Sequence, residues 1–157
     1  MVSKNEIMKL GVDRAFETMS QGIGGPFGAV IVKDGEVISV ASNSVLGDHD
    51  PTAHAEVNAI REACKKLGTH DLTGCEIFAS GAPCPMCQSA IIWANIKKVY
   101  TSGTVTDAAA IGFRDDYIYK FIEGGCLDSS VLETEQLDRT PAVELYTAYH
   151  EMNKEMY

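Results

Sequence analysis

Pro51-Thr52-Ala53-His54-Ala55-Glu56-Val57, read with Pro83-Cys84-Pro85-Met86-Cys87 downstream, is the pair of stretches around which the rest of the chain is organised. One imidazole and two thiolates make a borderline-soft donor set that suits Zn2+. Three protein ligands leave a fourth tetrahedral position for solvent, which separates catalytic from closed structural zinc sites. Glu56 follows His54 by two residues, and a carboxylate that is not itself a ligand can move protons beside that open position. Residues two apart do not share a helix face, so the spacing places His54 at the entry of the following helix. Cys84 likewise precedes a helix, with Pro85 suited to its first position. Helix N-termini carry partial positive charge, which lowers thiol pKa values and favours the thiolate.

A Cys-x-x-Cys pair could instead be a redox couple or half of a structural zinc site. A redox couple leaves His54 and Glu56 without a role, and a structural site wants a fourth Cys or His at suitable spacing. Cys64 and Cys75 stand alone and read as small buried thiols, while Cys126 ends a loop-like Gly124-Gly125-Cys126. His49 and His70 read as loop histidines and His150 as a helix-face one.

The chain has 157 residues, 45% of them hydrophobic, enough for one domain with its own core. A single domain over 1–157 is expected. Met1-Val2-Ser3-Lys4 leads into a polar amphipathic segment, and no apolar run resembles a signal peptide or a membrane span. Five cysteines, two of them in a metal-type motif, suit a reducing compartment. The expected location is the cytoplasm, with no membrane partner. Thirteen basic residues against 22 acidic ones give a net charge of −9, which argues against a nucleic-acid partner because phosphate binding draws on a basic patch. Lys65-Lys66 and Lys97-Lys98, the only basic pairs, read as solvated ends of elements.

Along the chain, Ile7, Leu10, Val12, Ala15, Phe16 and Met19 recur near helical spacing until Gly22-Ile23-Gly24-Gly25-Pro26 interrupts them. Phe27–Val32 and Val37–Ala41, joined through Asp34-Gly35, read as a β-hairpin. A helix carrying the His54 motif closes at Gly68. Cys75–Ala79 is a buried-type strand, Pro85–Asn95 a helix and Lys97–Ser102 a strand, which implies a crossover and a parallel pair. A helix through Ile122 follows Asp116. Residues 123–138 admit either a loop or a final strand near Val131–Leu137. Pro141–Met156 is a last amphipathic helix, and the order as a whole implies helices layered around a mixed sheet.

His54, Glu56, Cys84 and Cys87 match the His-x-Glu…Pro-Cys-x-x-Cys signature of zinc-dependent nucleobase deaminases. With them placed, the chain resembles the cytidine deaminase-like superfamily from end to end, and within it the small bacterial guanine deaminases. The stretches that carry the likeness are Gly24–Val32, Asp50–Val57, Trp93-Ala94, Thr106–Ala109, Gly112-Phe113 with Asp115, and the closing Asn153-Lys154 and Tyr157. Ala82 stands where superfamily members usually carry Glu before the Pro-Cys pair, and Arg114 where the guanine enzymes usually show an acid beside Asp115. The resemblance implies an α/β fold of three layers, helix/sheet/helix, around a mixed five-stranded sheet. It also implies one Zn2+ on His54, Cys84 and Cys87, with Glu56 and Asp115 as catalytic carboxylates. The substrate contacts it implies are Phe27 as an apolar wall, Asn43 and the Ala55 amide as hydrogen-bonding groups, and Tyr157 as a lid. A homodimer whose C-terminal segment crosses to the partner belongs to the same pattern.

The function expected is hydrolytic deamination of guanine to xanthine and ammonia in purine catabolism. Alternatives are deamination of another base or nucleoside (cytosine, guanosine or a triazine), editing of transfer-RNA adenosine, and, from a different class, a zinc-stabilised interaction module without activity. An unligated carboxylate at the Glu56 spacing has no use in a purely structural site.

Overall fold

Apolar residues on both sides of a short extended run build the centre of the sheet. The chain is described over residues 2–157 by a computed structural model. Strand β1 (Gly28–Lys33) is buried on both faces and pairs antiparallel with β2 (Glu36–Ser42) on one side and with β3 (Cys75–Gly81) on the other. Strand β4 (Lys98–Gly103) adds parallel to β3, giving the order β2-β1-β3-β4. The hairpin between β1 and β2 turns at Asp34-Gly35, both at positive φ (51° and 78°), as two-residue hairpin turns require.

The two faces of β1 bury different partners. Val30 and Val32 join Phe78 and Ile7 under α1 (Lys4–Ser20), while Ala29 and Ile31 join Ile77 and the small face Ala55, Ala59 and Ala63 of α3 (Ala55–Leu67). Ile91 of α4 (Pro85–Trp93) enters that second cluster. The sheet is thus the middle of three layers, and each fully buried aliphatic side chain such as Ile31 or Ile77 contributes about 1.5–3 kcal/mol. Helix α1 approaches β1 closely enough that a Cβ on Gly28 would stand 1.9 Å from the Gly11 carbonyl oxygen.

A four-residue helix, α2 (Val45–Asp48), lies between the hairpin and the His54 motif, too short for a periodicity to announce it. Beyond β4 come α5 (Val105–Ala110), α6 (Asp115–Glu123) and α7 (Thr140–Glu151). Among the described residues the sheet has four strands where five were expected, and Val131–Leu137 forms none. The reason is local. Asp128 Oδ1 accepts from Ser130 N at 3.0 Å and Ser130 Oγ at 2.6 Å, and the Asp128 carbonyl accepts from Val131 N and Leu132 N, so amides that a ladder would need are consumed in a turn.

The chain forms two compact units, Met1–Asp116 and Tyr117–Tyr157. The sheet lies in the first; the second holds most of α6 and all of α7. Among the described residues no helix is long and apolar enough to cross a membrane.

Candidate active site

Two helix N-termini bring the soft donors together. His54 is the N-cap of α3 and Cys84 the N-cap of α4, both in extended conformation and neither providing a side-chain cap, so their side chains are left for other work. Pro85 occupies the start of α4, as its spacing predicted. His54 Nδ1 lies 3.5 Å from Cys84 Sγ and 3.4 Å from Cys87 Sγ. Tetrahedral zinc, with bonds of about 2.3 Å to sulfur and about 2.0–2.1 Å to nitrogen, separates N and S ligands by about 3.5 Å. The donor triangle fits such an ion. Among the described residues no fourth His, Cys, Asp or Glu joins this group, so His49, His70 and His150 stay outside it.

The donors pull on one another in different directions. The hydrogen bond from Cys87, then that from His54, holds the Cys84 thiol down to about 4, whereas the same Cys84 contact and burial push Cys87 up. The His54 imidazole is raised by its bond to Cys84 against the opposing effect of burial.

Glu56, in the first turn of α3, is only 7% exposed. Burial raises its pKa, and hydrogen bonds from Cys87 and from its own amide oppose that. It lines a cavity of about 390 Å³ together with His54 and Cys84. Phe27, Asn43 and Asp115 line the same cavity, so residues 88 positions apart in sequence meet there. Asp115 is raised first by burial and then by the Cys84 charge. Asn43 is buried, and its Oδ1 accepts from Gly25 N (3.2 Å) and Val45 N (3.1 Å), which fixes the amide orientation. Ala55 is fully buried and outside the cavity wall; its amide falls in the first turn of α3, where no intrahelical acceptor exists. Tyr157 belongs to the second unit and is 79% exposed.

Sequence reasoning passed over several wall residues. Gly24 and Gly25 read as a connecting turn, and Val45 and Leu46 carry no motif, yet all four line the cavity. Phe113 packs edge-on against Phe27, with ring centroids 5.0 Å apart at 87°. Gly112-Phe113 stood beside Asp115 among the stretches that carry the likeness, but no wall role was read for Phe113. Ala82, the departure from the usual pattern, also lies in the wall, while Arg114 forms a bidentate pair with Asp116 at 2.9 Å.

Comparison with known proteins agrees with this geometry. The guanine deaminase of Bacillus subtilis (strain 168) is 53% identical over 116 residues, 74% of each chain. The tRNA-specific adenosine deaminase of Aquifex aeolicus (strain VF5) is 53% identical over 77 residues, 49% of this chain and 51% of that one. An X-ray structure of guanine deaminase from Bacillus subtilis superposes with a TM-score of 0.91 at 43% identity, covering 99% of both chains. A family model described as the cytidine and deoxycytidylate deaminase zinc-binding region matches residues 1–102. The chain therefore belongs to the cytidine and deoxycytidylate deaminase family, with an α/β cytidine deaminase-like fold.

Proposed function

We propose that the chain is a zinc-dependent aminohydrolase that converts guanine and water to xanthine and ammonia in purine catabolism, as one catalytic domain over 1–157 in the cytoplasm. The observation that carries the reading is the place of Glu56, which is buried, lies outside the three-donor group and lines the same cavity as His54 and Cys84. Guanine is favoured because the similarity to a guanine deaminase runs over 74% of the chain, against 49% for a tRNA-specific deaminase. A net charge of −9 weighs the same way, since polyanion binding rests on cationic contacts.

His54, Cys84 and Cys87 would hold the zinc ion, which when bound would supply the Lewis acidity that makes water a nucleophile near neutral pH. Glu56 takes a proton as the water oxygen bonds to the ring carbon that bears the amino group. It returns that proton to the adjacent ring nitrogen, then takes the proton of the newly added hydroxyl and delivers it to the amino nitrogen, so that the carbonyl forms, the carbon–nitrogen bond breaks and neutral ammonia leaves. Asp115 faces the amino group as a second carboxylate. Asn43, with Oδ1 committed to two backbone amides, presents its Nδ2 hydrogens to an acceptor on the base, and a base lacking that acceptor is rejected. The Ala55 amide serves the ring carbonyl and Phe27 the apolar face. Tyr157 closes the site in a homodimer whose C-terminal segment crosses over.

The test is release of xanthine and ammonia from guanine by fully zinc-loaded protein, with Glu56→Gln retaining zinc and losing activity by about 10²–10⁴-fold. No xanthine from loaded wild type would sink the substrate, and equal turnover by the variant would sink the role of Glu56. Ala82 in the cavity wall is the reason to run cytosine, guanosine and a triazine beside guanine.

A further inference from the structure

The ring of Phe27 stands in a slot between two residues that have no side chain. A Cβ on Gly81 would lie 3.2 Å from Cδ1 and 3.3 Å from Cε1 of Phe27, along one edge of the ring. A Cβ on Gly25 would lie 3.4 Å from Cδ2 and Cε2 along the other edge, and 3.3 Å from Phe113 Cζ. Neither glycine has positive φ, so backbone conformation does not require glycine at either place; the closeness of the ring does. The Phe27 backbone is pinned as well. Its N–H donates to the Gly25 carbonyl at 2.9 Å, its carbonyl accepts from Asn43 N at 3.0 Å, and the next amide, Gly28 N, donates to Ser80 Oγ at 2.9 Å. With the main chain held and Phe113 packed edge-on, a methyl group added at Gly81 displaces the ring itself. Gly25, Phe27, Gly81 and Phe113 all line the cavity, so that displacement alters its width.

We propose that Gly81, with Gly25 opposite, is a positioning residue: its lack of a side chain sets where the Phe27 ring stands and hence the width of the slot that receives the base. The claim rests on the reading of this cavity as the base site. It concerns binding more than the chemical step, because neither the two glycines nor Phe27 belongs to the three-donor group or carries a titratable side chain. Inserting a group into a packed contact carries a real penalty, and here the penalty falls on a wall that the base must meet.

The experiment compares Gly81→Ala in the wild-type and Phe27→Leu backgrounds, using the zinc-loaded full chain, guanine kinetics and a crystal structure of Gly81→Ala. Expected is a KM raised about five- to tenfold with kcat within about twofold and unchanged zinc content, the low end of what overpacking costs. In Phe27→Leu, where the ring edge is gone, Gly81→Ala should add little, which is the coupling a double-mutant cycle reads. An unchanged KM, or the same rise in both backgrounds, overturns the proposal. If wild type turns over no guanine, the base-site reading falls on its own, and the crystal structure decides the positioning claim: a Phe27 ring displaced by the new methyl group supports it, and an undisplaced ring overturns it.

Discussion

Gly24 sits one residue from the Phe27 slot and is constrained more tightly than any other wall residue. A Cβ there would stand 1.9 Å from the Asn43 carbonyl oxygen and 2.5 Å from Asn43 Oδ1. Neither neighbour can swing clear, because that Oδ1 is held by the Gly25 and Val45 amides. Gly24→Ala is therefore expected to displace Asn43, leave zinc binding intact and lower kcat/KM for guanine by up to about a hundredfold, the scale of a misplaced contact. Steady-state kinetics beside a zinc assay would show it, and wild-type kinetics would remove Asn43 from the binding set. Such a constraint is invisible in the sequence, where Gly24-Gly25-Pro26 looks like any turn. His54, Glu56, Cys84 and Cys87 were legible because ligand chemistry fixes both residue type and spacing, and a short local pattern carries all of that information. Leu46 and Phe113 were not, because their place on the wall comes from segments far apart in the chain meeting at the sheet end.

At the level of elements, prolines marked the starts of α4 and α7, whereas the capping boxes of α1 and α5 went unread and α5 was not expected as a helix. Ser3 and Glu6 form a capping box on α1, as Thr104 and Asp107 do on α5. The backbone hydrogen bond at Ser3, then the one from its hydroxyl, holds the Glu6 carboxyl below its ordinary 4.5. As pH falls, the unfolded chain takes up this proton first. The stabilisation is therefore complete above about pH 4.5 and is lost as pH falls through the lowered folded value. Glu6→Gln should lower the unfolding midpoint at pH 7 and leave it nearer wild type at the acid end; a gap that does not change with pH would contradict the cap. The contact between α1 and β1 is a backbone matter instead. With the Gly11 carbonyl 1.9 Å from a Cβ on Gly28, Gly28→Ala must lift the helix from the sheet, at a cost of about 3 kcal/mol or more. Urea unfolding should show a lower midpoint with little change in slope. Of the two readings open for 123–138, the loop prevailed over a strand at 131–137 because an Asp-Ser turn took its first amides, a competition that apolar periodicity does not register.

Across the whole molecule, the layered fold was read from the order of the elements, and β1, buried on both faces, shows why the sheet needs cover on each side. The second unit poses the opposite problem. No residue of 117–157 is buried in the single chain, and α7 leaves Leu145 67%, Tyr146 68% and Met152 62% exposed. A twelve-residue helix is marginal by itself in water, and clustered apolar exposure of this kind marks an interaction surface. Tyr157 is 79% exposed. The proposed homodimer, in which this segment crosses to a second copy of the chain, would cover the apolar face of α7, and symmetric dimers make such exchange easy. The expected result is a dimer mass for wild type at micromolar concentration. If Tyr157 is the proposed lid, deleting Met156-Tyr157 should preserve that mass and raise the KM for guanine, through loss of the group that excludes water and orients the base. A dimer with unaltered kinetics would eliminate the lid while keeping the exchange. A wild-type monomer would eliminate both, and would leave the apolar face of α7 in need of a different cover.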